Sequence, residues 1–320
     1  MYQEPIFLQP VFQERIWGGG QKLNTEFSYT IPYEKTGEAW VISAHPNGPS
    51  KITNGPLKNQ TLLEAWKNHG ELFRKPADSE EEYPLLIKIL DANDNLSVQV
   101  HPDDQYAREV ANEAYGKTEC WYVLSAEPDA ELIIGHHAQT REELEKLIDE
   151  GQWDKLLRKV KVKAGDFVYV PSGTIHAIGK GIVILETQQS SDITYRVYDY
   201  DRTDAQGNTR ELHLKEAKDV TTVPHETPRL NQSDEIDQGL TSKKLVEEKY
   251  FTVYHWGGLD GKVAKTMDQD FLQVSVIEGE AKLTVHQQQF DVKKGDHFII
   301  PATISAYQLD GAAEMIVSHT

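Results

Sequence analysis

The stretch Gly165-Asp-Phe-Val-Tyr-Val-Pro171-Ser-Gly173-Thr-Ile-His176 combines a short apolar run, a turn and a histidine. Phe167–Val170 is aromatic and β-branched and is bounded by Gly and Pro, which predicts a strand. Gly173 permits the tight bend that can turn His176 toward the interior. The layout returns in Gly295-Asp-His-Phe-Ile-Ile-Pro301, an offset of 130 positions. The chain is therefore predicted to contain two β units of one design.

A second alignment extends this repeat. Trp121-Tyr-Val-Leu-Ser-Ala matches Val274-Ser-Val-Ile-Glu-Gly at an offset of 153 positions. The two offsets differ by about the length of a helical stretch near 140–161, so we expect the first unit to carry a helical insertion. The second copy has Leu272 where the first has Glu119, and it lacks the glycine and histidine after the proline. We expect this second unit to be structural and without metal ligands.

The rest of the chain favours a mainly β fold with few helices. Helices are predicted over Thr61–Lys75 and over Thr140–Lys159, where Thr-Arg-Glu-Glu forms a capping-box pattern. The stretch from Thr221 to Lys244 is rich in proline and acidic residues and is interpreted as a connection between domains or as a long surface loop. The predicted organisation is a metal-bearing domain over 1–225, a linker over 226–244 and a β domain over 245–320. Strands are predicted at Pro84–Leu90, Cys120–Leu124, Ala130–Gly135 and Gly181–Glu186.

Composition excludes several classes of function. The 320 residues suggest about two domains, and 51 acidic against 33 basic residues leave a formal charge of −18. Such a charge repels nucleic acid and anionic lipid, so neither is an expected partner. The first residues show no basic region followed by an apolar one, and Cys120 is the single cysteine, which fits a reducing compartment. We expect a cytoplasmic protein.

Four side chains form a candidate metal site. In Leu96-Ser-Val-Gln-Val-His-Pro, a strand places Ser97, Gln99 and His101 on one face and two valines on the other. Glu119 shares a strand face with Trp121, whereas Cys120 points away. Together with His176, these residues supply one amide oxygen, one carboxylate and two imidazoles. That set suits a divalent ion such as Zn²⁺ and leaves room for water or substrate.

The pattern Gly165-x5-Pro171-x-Gly173-x2-His176 resembles the second cupin motif. The wider sequence is similar to type I mannose-6-phosphate isomerases in their short bacterial form, in the order of the family and over most of the first 200 residues. The matching stretches are Arg15-Ile-Trp-Gly-Gly, Gly37-Glu-Ala-Trp, Pro84-Leu-Leu-Ile-Lys, Gln99-Val-His-Pro-Asp, Lys117-Thr-Glu, Pro171-Ser-Gly-Thr-Ile-His-Ala and Thr194-Tyr-Arg-Val-Tyr-Asp.

The resemblance implies tandem cupin (jelly-roll) β-barrels or sandwiches and a zinc-dependent aldose–ketose isomerase. Its substrates would be mannose 6-phosphate and fructose 6-phosphate, interconverted through a cis-enediol, in a monomer or small homo-oligomer. It implies one Zn²⁺ per chain, and the active-site arginine is Arg196. The implied ligands are Gln99, His101, Glu119 and His176, and the implied pocket residues are Lys88, Ser97, Lys117 and Glu186.

Some roles stay open at this level. Arg196, Glu186 and Lys117 are candidate catalytic groups, and Lys88, Ser97 and Arg196 are candidate substrate-binding groups. Glu186 shares a strand face with Ile182 and Ile184 and is either the proton-transfer base or only a hydrogen-bond partner. Two other functions compete: an iron-dependent dioxygenase of the cupin type, and a non-catalytic sugar-phosphate-binding protein.

Overall fold

Strands, most of them short, form the larger part of the regular secondary structure. The computed structural model describes residues 2–76, 79–259 and 261–320, so Met1, Ala77, Asp78 and Asp260, which fall inside the two predicted domains, lie outside the described residues. The strands are β1 Ile6–Gln9, β2 Val11–Glu14, β3 Thr36–Ile42, β4 Lys51–Ile52, β5 Leu85–Asp91, β6 Val98–Val100, β7 Glu119–Ala126, β8 Glu131–His136, β9 Leu157–Lys161, β10 Phe167–Val170, β11 His176–Ile178, β12 Ile182–Gln189, β13 Tyr195–Tyr198, β14 Ser233–Asp237, β15 Leu240–Glu247, β16 Thr252–Gly257, β17 Gly261–Thr266, β18 Phe271–Val285, β19 Gln288–Lys293, β20 His297–Pro301 and β21 Ala306–His319. The helices are α1 Lys22–Thr25, α2 Leu62–Asn68, α3 Asp104–Tyr106, α4 Arg141–Asp149, α5 Trp153–Leu156 and α6 Leu214–Val220, with a 3₁₀ turn at Gly70–Phe73 and a π-helical turn at Ala107–Ala111.

Two antiparallel sheets form the first unit. One has six strands in the order β10-β7-β12-β5-β3-β2, and the other has five in the order β13-β6-β11-β8-β9. Their facing sides share a core that includes Trp121 and Ile184 from the first sheet and Ile134 and Ile178 from the second. Successive side chains of a strand point to opposite faces of the sheet. One set of apolar side chains therefore lies in this core, and the other set lies on the outer face.

Each outer face is covered as well. Val98 and Val100, on the outer face of the five-stranded sheet, pack against the helices α4 and α6. The opposite face of the six-stranded sheet, with Cys120 and Leu185, belongs to one core with the C-terminal sheet. The predicted side-chain directions on β6 and at Cys120 are thereby confirmed.

The C-terminal sheet has ten strands in the order β14-β15-β16-β21-β18-β20-β1-β4, with β17 on β21 and β19 on β18. Its members β1 and β4 come from the first fifty-two residues, so the N-terminal segment belongs to both units. The hydroxyl of Tyr29 lies 2.6 Å from Nε2 of the buried His297, whose Nδ1 lies 2.8 Å from the Ser275 hydroxyl. The Tyr83 hydroxyl donates to Gln273 at 2.9 Å. These polar contacts join the two units.

The predicted repeat is confirmed by matching backbone hydrogen bonds. In the first unit, the N–H of Gly165 donates to Val123 and that of Val123 to Asp166. In the second, Gly295 donates to Val276 and Val276 to Asp296, at the offsets of 130 and 153 positions that the sequence alignment gives. Strand pairing agrees, since Val170 faces Glu119 and Ile300 faces Leu272.

The two long predicted helices are shorter in the structure. α2 begins after the capping box of Thr61 and Glu64 and ends at Asn68, and a 3₁₀ turn follows from Gly70. In the second stretch, Thr140 caps α4 as predicted. Gly151 then adopts a φ of +62°, a left-handed conformation that ends the helix. Residues 157–161 form β9 instead, because they continue the five-stranded sheet beside β8.

The segment over 226–244, predicted as a linker, contains strands of the C-terminal sheet in the structure. It contains β14 and the start of β15, which pair with each other at the edge of the C-terminal sheet. β14 is exposed on both faces apart from its last residue. A strand of this kind shows no apolar alternation, so its sequence is indistinguishable from that of a loop.

No helix among the described residues is long and apolar enough to cross a membrane.

Candidate metal centre and active-site cavity

Three strand ends bring His101, Glu119 and His176 together inside the first unit. His101 follows β6, Glu119 begins β7 and His176 begins β11, where it pairs with Gln99. Nε2 of His176 lies 3.3 Å from Oε1 of Glu119, and Nε2 of His101 lies 3.5 Å from Oε2. The candidate ligand atoms of the three residues all lie within 4.8 Å of one another, and all three residues are buried.

The protonation of this group fits a metal ion. Burial lowers the pKa of His176 to about 4 and that of His101 well below its ordinary value, so both imidazoles are neutral near pH 7. Nδ1 of His176 lies 2.8 Å from the Thr174 carbonyl oxygen, which must accept its proton. The Nε2 lone pair therefore faces Glu119, whose buried Oε1 accepts no hydrogen bond among the described residues. Two neutral imidazoles and a carboxylate suit a divalent transition metal.

Gln99, the fourth predicted ligand, lies beside this group. Its Nε2 is 3.4 Å from Nε2 of His176. Rotation of the amide by half a turn exchanges oxygen and nitrogen, so the same side chain can present an oxygen to an ion.

Lys117 adds a positive charge to the same group. Its Nζ lies 2.7 Å from Oε2 of Glu119 and 3.1 Å from Nε2 of His101. Burial by itself would lower the pKa of Lys117, but Glu119 and Glu186 outweigh burial and raise it. Lys117 is therefore protonated, and it balances the buried carboxylate.

A cavity beside the metal-binding group contains the other predicted residues. Lys88, Ser97, Gln99, Lys117, Glu186 and Arg196 all line it. Lys88 lies on β5, between β12 and β3, so it is buried in the middle of a sheet and not at an edge. The predicted residues are thus in one place although they come from five strands or strand ends.

Glu186 and Lys88 form a buried pair in this cavity. Nζ of Lys88 lies 3.4 Å from Oε2 of Glu186, and the Trp121 indole donates to Oε1 at 3.0 Å. Ile182 and Ile184, on the same face of β12 as Glu186, belong to the core between the two sheets. Burial raises the pKa of the Glu186 carboxyl, helped by Glu119 and opposed by Lys117 and Lys88.

Three functional candidates had no assigned role in the sequence analysis, although they lie in stretches that carry the family resemblance. Arg15 donates two hydrogen bonds of 2.9 Å to the carboxylate of Glu38, which also accepts the Trp40 indole N–H at 2.7 Å. Burial would raise the pKa of Glu38, but Lys88 and Arg15 lower it to about 2. Arg15, Glu38 and Trp40 all line the cavity. In the sequence, the stretches Arg15-Ile-Trp and Gly37-Glu-Ala-Trp, which match the family, were the only indication that these residues belong to the site.

Two of the arginines that line the cavity, Arg196 and Arg210, differ in their partners. Arg196 donates to the carbonyl oxygen of Glu211 at 2.8 Å, and its buried Nε has no hydrogen-bond partner among the described residues. Arg210, in contrast, forms two hydrogen bonds with the carboxylate of Asp199, which also pairs with Arg202. Arg196 therefore keeps an unbalanced positive charge beside the cavity.

The two-sheet unit with its buried His–Glu–His group and the repeated second unit define a tandem cupin protein. The model of the type I phosphomannose isomerase catalytic domain matches residues 6–118, and that of the mannose-6-phosphate isomerase cupin domain matches residues 241–320. The chain is 50% identical to the mannose-6-phosphate isomerase ManA of Bacillus subtilis and covers 100% of both sequences. It is 52% identical to the mannose-6-phosphate isomerase of Streptococcus mutans, covering 99% of this chain and 98% of the relative.

Solved structures agree. The mannose 6-phosphate isomerase of Bacillus subtilis matches with a TM-score of 0.95 at 49% identity, covering 99% of this chain and 100% of the other. A Salmonella typhimurium phosphomannose isomerase variant matches with a TM-score of 0.80 at 17% identity over 99% of each chain, a likeness of fold. The chain belongs to the type I mannose-6-phosphate isomerase family, which is a family of aldose–ketose isomerases. The predicted family and the mainly β fold are confirmed.

Removal of one imidazole tests the metal-binding group. We expect His176→Ala to lower the bound divalent metal, measured by elemental analysis of the dialysed protein, from one per chain to less than about a tenth, because only one imidazole, one carboxylate and one amide oxygen then remain to bind the ion. Cys120→Ser is the matched control, since the neighbouring Cys120 side chain lies in the core on the other face of β7. Unchanged metal in the His176 variant would contradict the assignment.

Proposed function

We propose that this chain is a zinc-dependent isomerase that interconverts mannose 6-phosphate and fructose 6-phosphate through a cis-enediol. The observation that carries the proposal is the buried His101–Glu119–His176 group beside a cavity that contains the Lys88–Glu186 pair. Family membership supports the reaction class, and the names of the relatives given above support mannose 6-phosphate as the substrate. The cytoplasmic location and the monomeric or small homo-oligomeric state stay predictions.

Zn²⁺ is the proposed ion because the donors are two imidazole nitrogens, a carboxylate and an amide oxygen. His101, Glu119, His176 and Gln99 would hold it. When bound, it supplies Lewis acidity near the oxygens on C1 and C2 of the sugar and so stabilises the charge of an enediolate. Ionisation of a carbon acid beside a carbonyl needs such help at neutral pH.

Phosphate binding is assigned to Arg196. The whole chain has a charge of −18, so a dianionic substrate must be captured by local cations. Arg196 has a free Nε and, among the described residues, no carboxylate partner within ion-pair distance. A guanidinium binds phosphate in a bidentate manner, whereas Arg210 is already held by Asp199. The Ser97 hydroxyl lines the same cavity and adds a polar contact.

Proton transfer between C2 and C1 is assigned to Glu186. A general base works best when its pKa approaches the working pH, and burial raises the pKa of Glu186 in that direction. The neighbouring Lys88, at 3.4 Å, holds the carboxylate in place. Lys117, which is protonated, can donate a hydrogen bond to a sugar oxygen as negative charge develops there.

A coupled assay with mannose 6-phosphate tests the proposal directly. We expect turnover that disappears when the protein is treated with a chelator and returns with Zn²⁺, because the enediolate charge then has no stabilising ion. Elemental analysis should show about one zinc per chain.

Other outcomes would contradict this function. Activity that survives complete metal removal would eliminate the metal-assisted reaction. Iron in the protein with substrate-dependent oxygen consumption would indicate a dioxygenase. Tight sugar-phosphate binding without aldose–ketose exchange would indicate a binding protein.

Arg196→Ala separates substrate binding from metal binding. We expect kcat/KM to fall about 10²- to 10³-fold, since a charged partner of the phosphate is lost. Zinc content should stay near one per chain. Arg196 pairs with Gln99 through the backbone only, which alanine keeps, and among the described residues its side chain forms no hydrogen bond or ion pair with a proposed ligand. The exposed Arg229, replaced by Ala, controls for the lost charge. Loss of zinc in the Arg196 variant would show that this residue is structural.

Glu186→Gln tests the assignment of the base. We expect kcat to fall about 10²- to 10⁴-fold with zinc retained, since an amide cannot accept the proton. The decisive measurement is solvent deuterium exchange at C2 of mannose 6-phosphate, which should slow in proportion. Exchange at the unchanged rate would assign Glu186 to hydrogen bonding alone and leave the base elsewhere.

A further inference from the structure

We propose that Gln189 is a positioning residue for the metal-binding group. Its side chain connects the segment that follows His101 to the strand that carries Glu119, and so sets the separation of two ligands. This inference rests on the proposed function only in assuming that the ligands bind a divalent ion. Gln189 is buried and does not line the cavity, so it acts through the ligands and not on the substrate.

The oxygen of the Gln189 side-chain amide extends the pairing of β12 with β7 beyond its last regular pair. β12 and β7 pair up to Gln188 and Glu119, and the Gln189 N–H then donates to the Thr118 carbonyl at 3.1 Å. The Gln189 backbone carbonyl does not accept from Thr118, because it already accepts the Ser191 N–H at 2.7 Å and the Gln188 side-chain amide at 2.8 Å. Instead, Oε1 of Gln189 accepts the Thr118 backbone N–H at 2.9 Å. The side-chain amide thus replaces a backbone carbonyl directly between Lys117 and Glu119.

The other end of the amide holds the segment after His101. Nε2 of Gln189 donates to Oδ1 of Asp104 at 2.8 Å, and the same oxygen accepts the Gly116 N–H at 3.0 Å. Asp104 lies three residues after His101. The Lys117 N–H donates to the Pro102 carbonyl at 3.0 Å, which ties the two segments a second time. Gln189 therefore bridges the parts of the chain that carry His101 and Glu119.

The bridge requires an amide. One end must accept a hydrogen bond from a backbone N–H and the other must donate one to a carboxylate, and a glutamine has both groups. A glutamate at this position would face Asp104 with a like charge in a buried place. Because partners that orient ligands typically change metal affinity 10- to 100-fold when mutated, we expect an effect of about that size here.

The test compares Gln189→Glu, Asp104→Asn and the double variant in the full-length protein. Zinc affinity is measured on the metal-free protein by competition with a chromophoric chelator. Gln189→Glu should raise the zinc dissociation constant about 10- to 100-fold. Asp104→Asn should change the zinc dissociation constant less, since the asparagine amide oxygen can still accept the hydrogen bonds from Gln189 and Gly116. The double variant should recover most of the affinity, because the amide introduced at position 104 can then donate to the carboxylate introduced at position 189.

A matched control separates positioning from a general loss of stability. Gln273 is fully buried in the C-terminal sheet and accepts a hydrogen bond from Tyr83. Gln273→Glu introduces the same buried carboxylate away from the metal-binding group, so it should lower the unfolding midpoint and leave zinc affinity unchanged. If Gln189→Glu does not fold, Asp104→Ala removes the same bridge from its less buried end and carries the same expectation.

Two results would overturn the inference: unchanged zinc affinity in the Gln189 variant, or an equal loss in the Gln273 variant. A second readout is kinetic, since a displaced ligand should lower kcat with mannose 6-phosphate and leave KM, which depends on Arg196, within about twofold. Wild-type protein that binds zinc without turnover would contradict the proposed function, while the affinity measurements would still decide the role of Gln189.

Discussion

A buried carboxylate between two neutral imidazoles is the constraint on which the rest of the structure depends. Glu119 is 1% exposed, and the burial of an unbalanced charge costs several kcal/mol. Lys117 supplies the balancing charge within the chain, at 2.7 Å, and a divalent ion would supply it more strongly. Three ligand atoms must also meet although they begin on strands of two different sheets. The packing of those sheets is therefore what creates the site.

The cavity opposes the charge of the whole molecule. Of the residues that the structure describes, five cationic and three acidic side chains line it, a local excess of two positive charges in a chain of net charge −18. Most of these cations have carboxylate partners, as with Arg15 and Glu38 or Lys88 and Glu186. Pairing lowers the cost of burying them and holds their side chains in one geometry. Arg196 differs because a backbone carbonyl, not a carboxylate, holds it, and so its charge is available to an anion.

The second cupin unit keeps the framework of the first without its chemistry. The turn at Gly295 repeats the hydrogen bonds of the turn at Gly165, whereas Leu272 replaces the carboxylate of Glu119. This unit covers the outer face of the six-stranded sheet, where the two form one core. It also pairs with β1 and β4, which flank the segment that carries Arg15 and Glu38. Its contribution is the burial that keeps those elements in register.

The sequence by itself determined the repeat, the mainly β fold, the family and the residues His101, Glu119 and His176, because turn glycines and strand alternation are local properties. It predicted a helix through Gly151 and a linker through β14, since a sheet partner is invisible in a local pattern. The contacts of Arg15 with Glu38 and of Gln189 with Thr118 and Asp104 were decided by the tertiary structure alone. They join residues 23 to 85 positions apart, and only the packing of sheets brings such residues within hydrogen-bond distance.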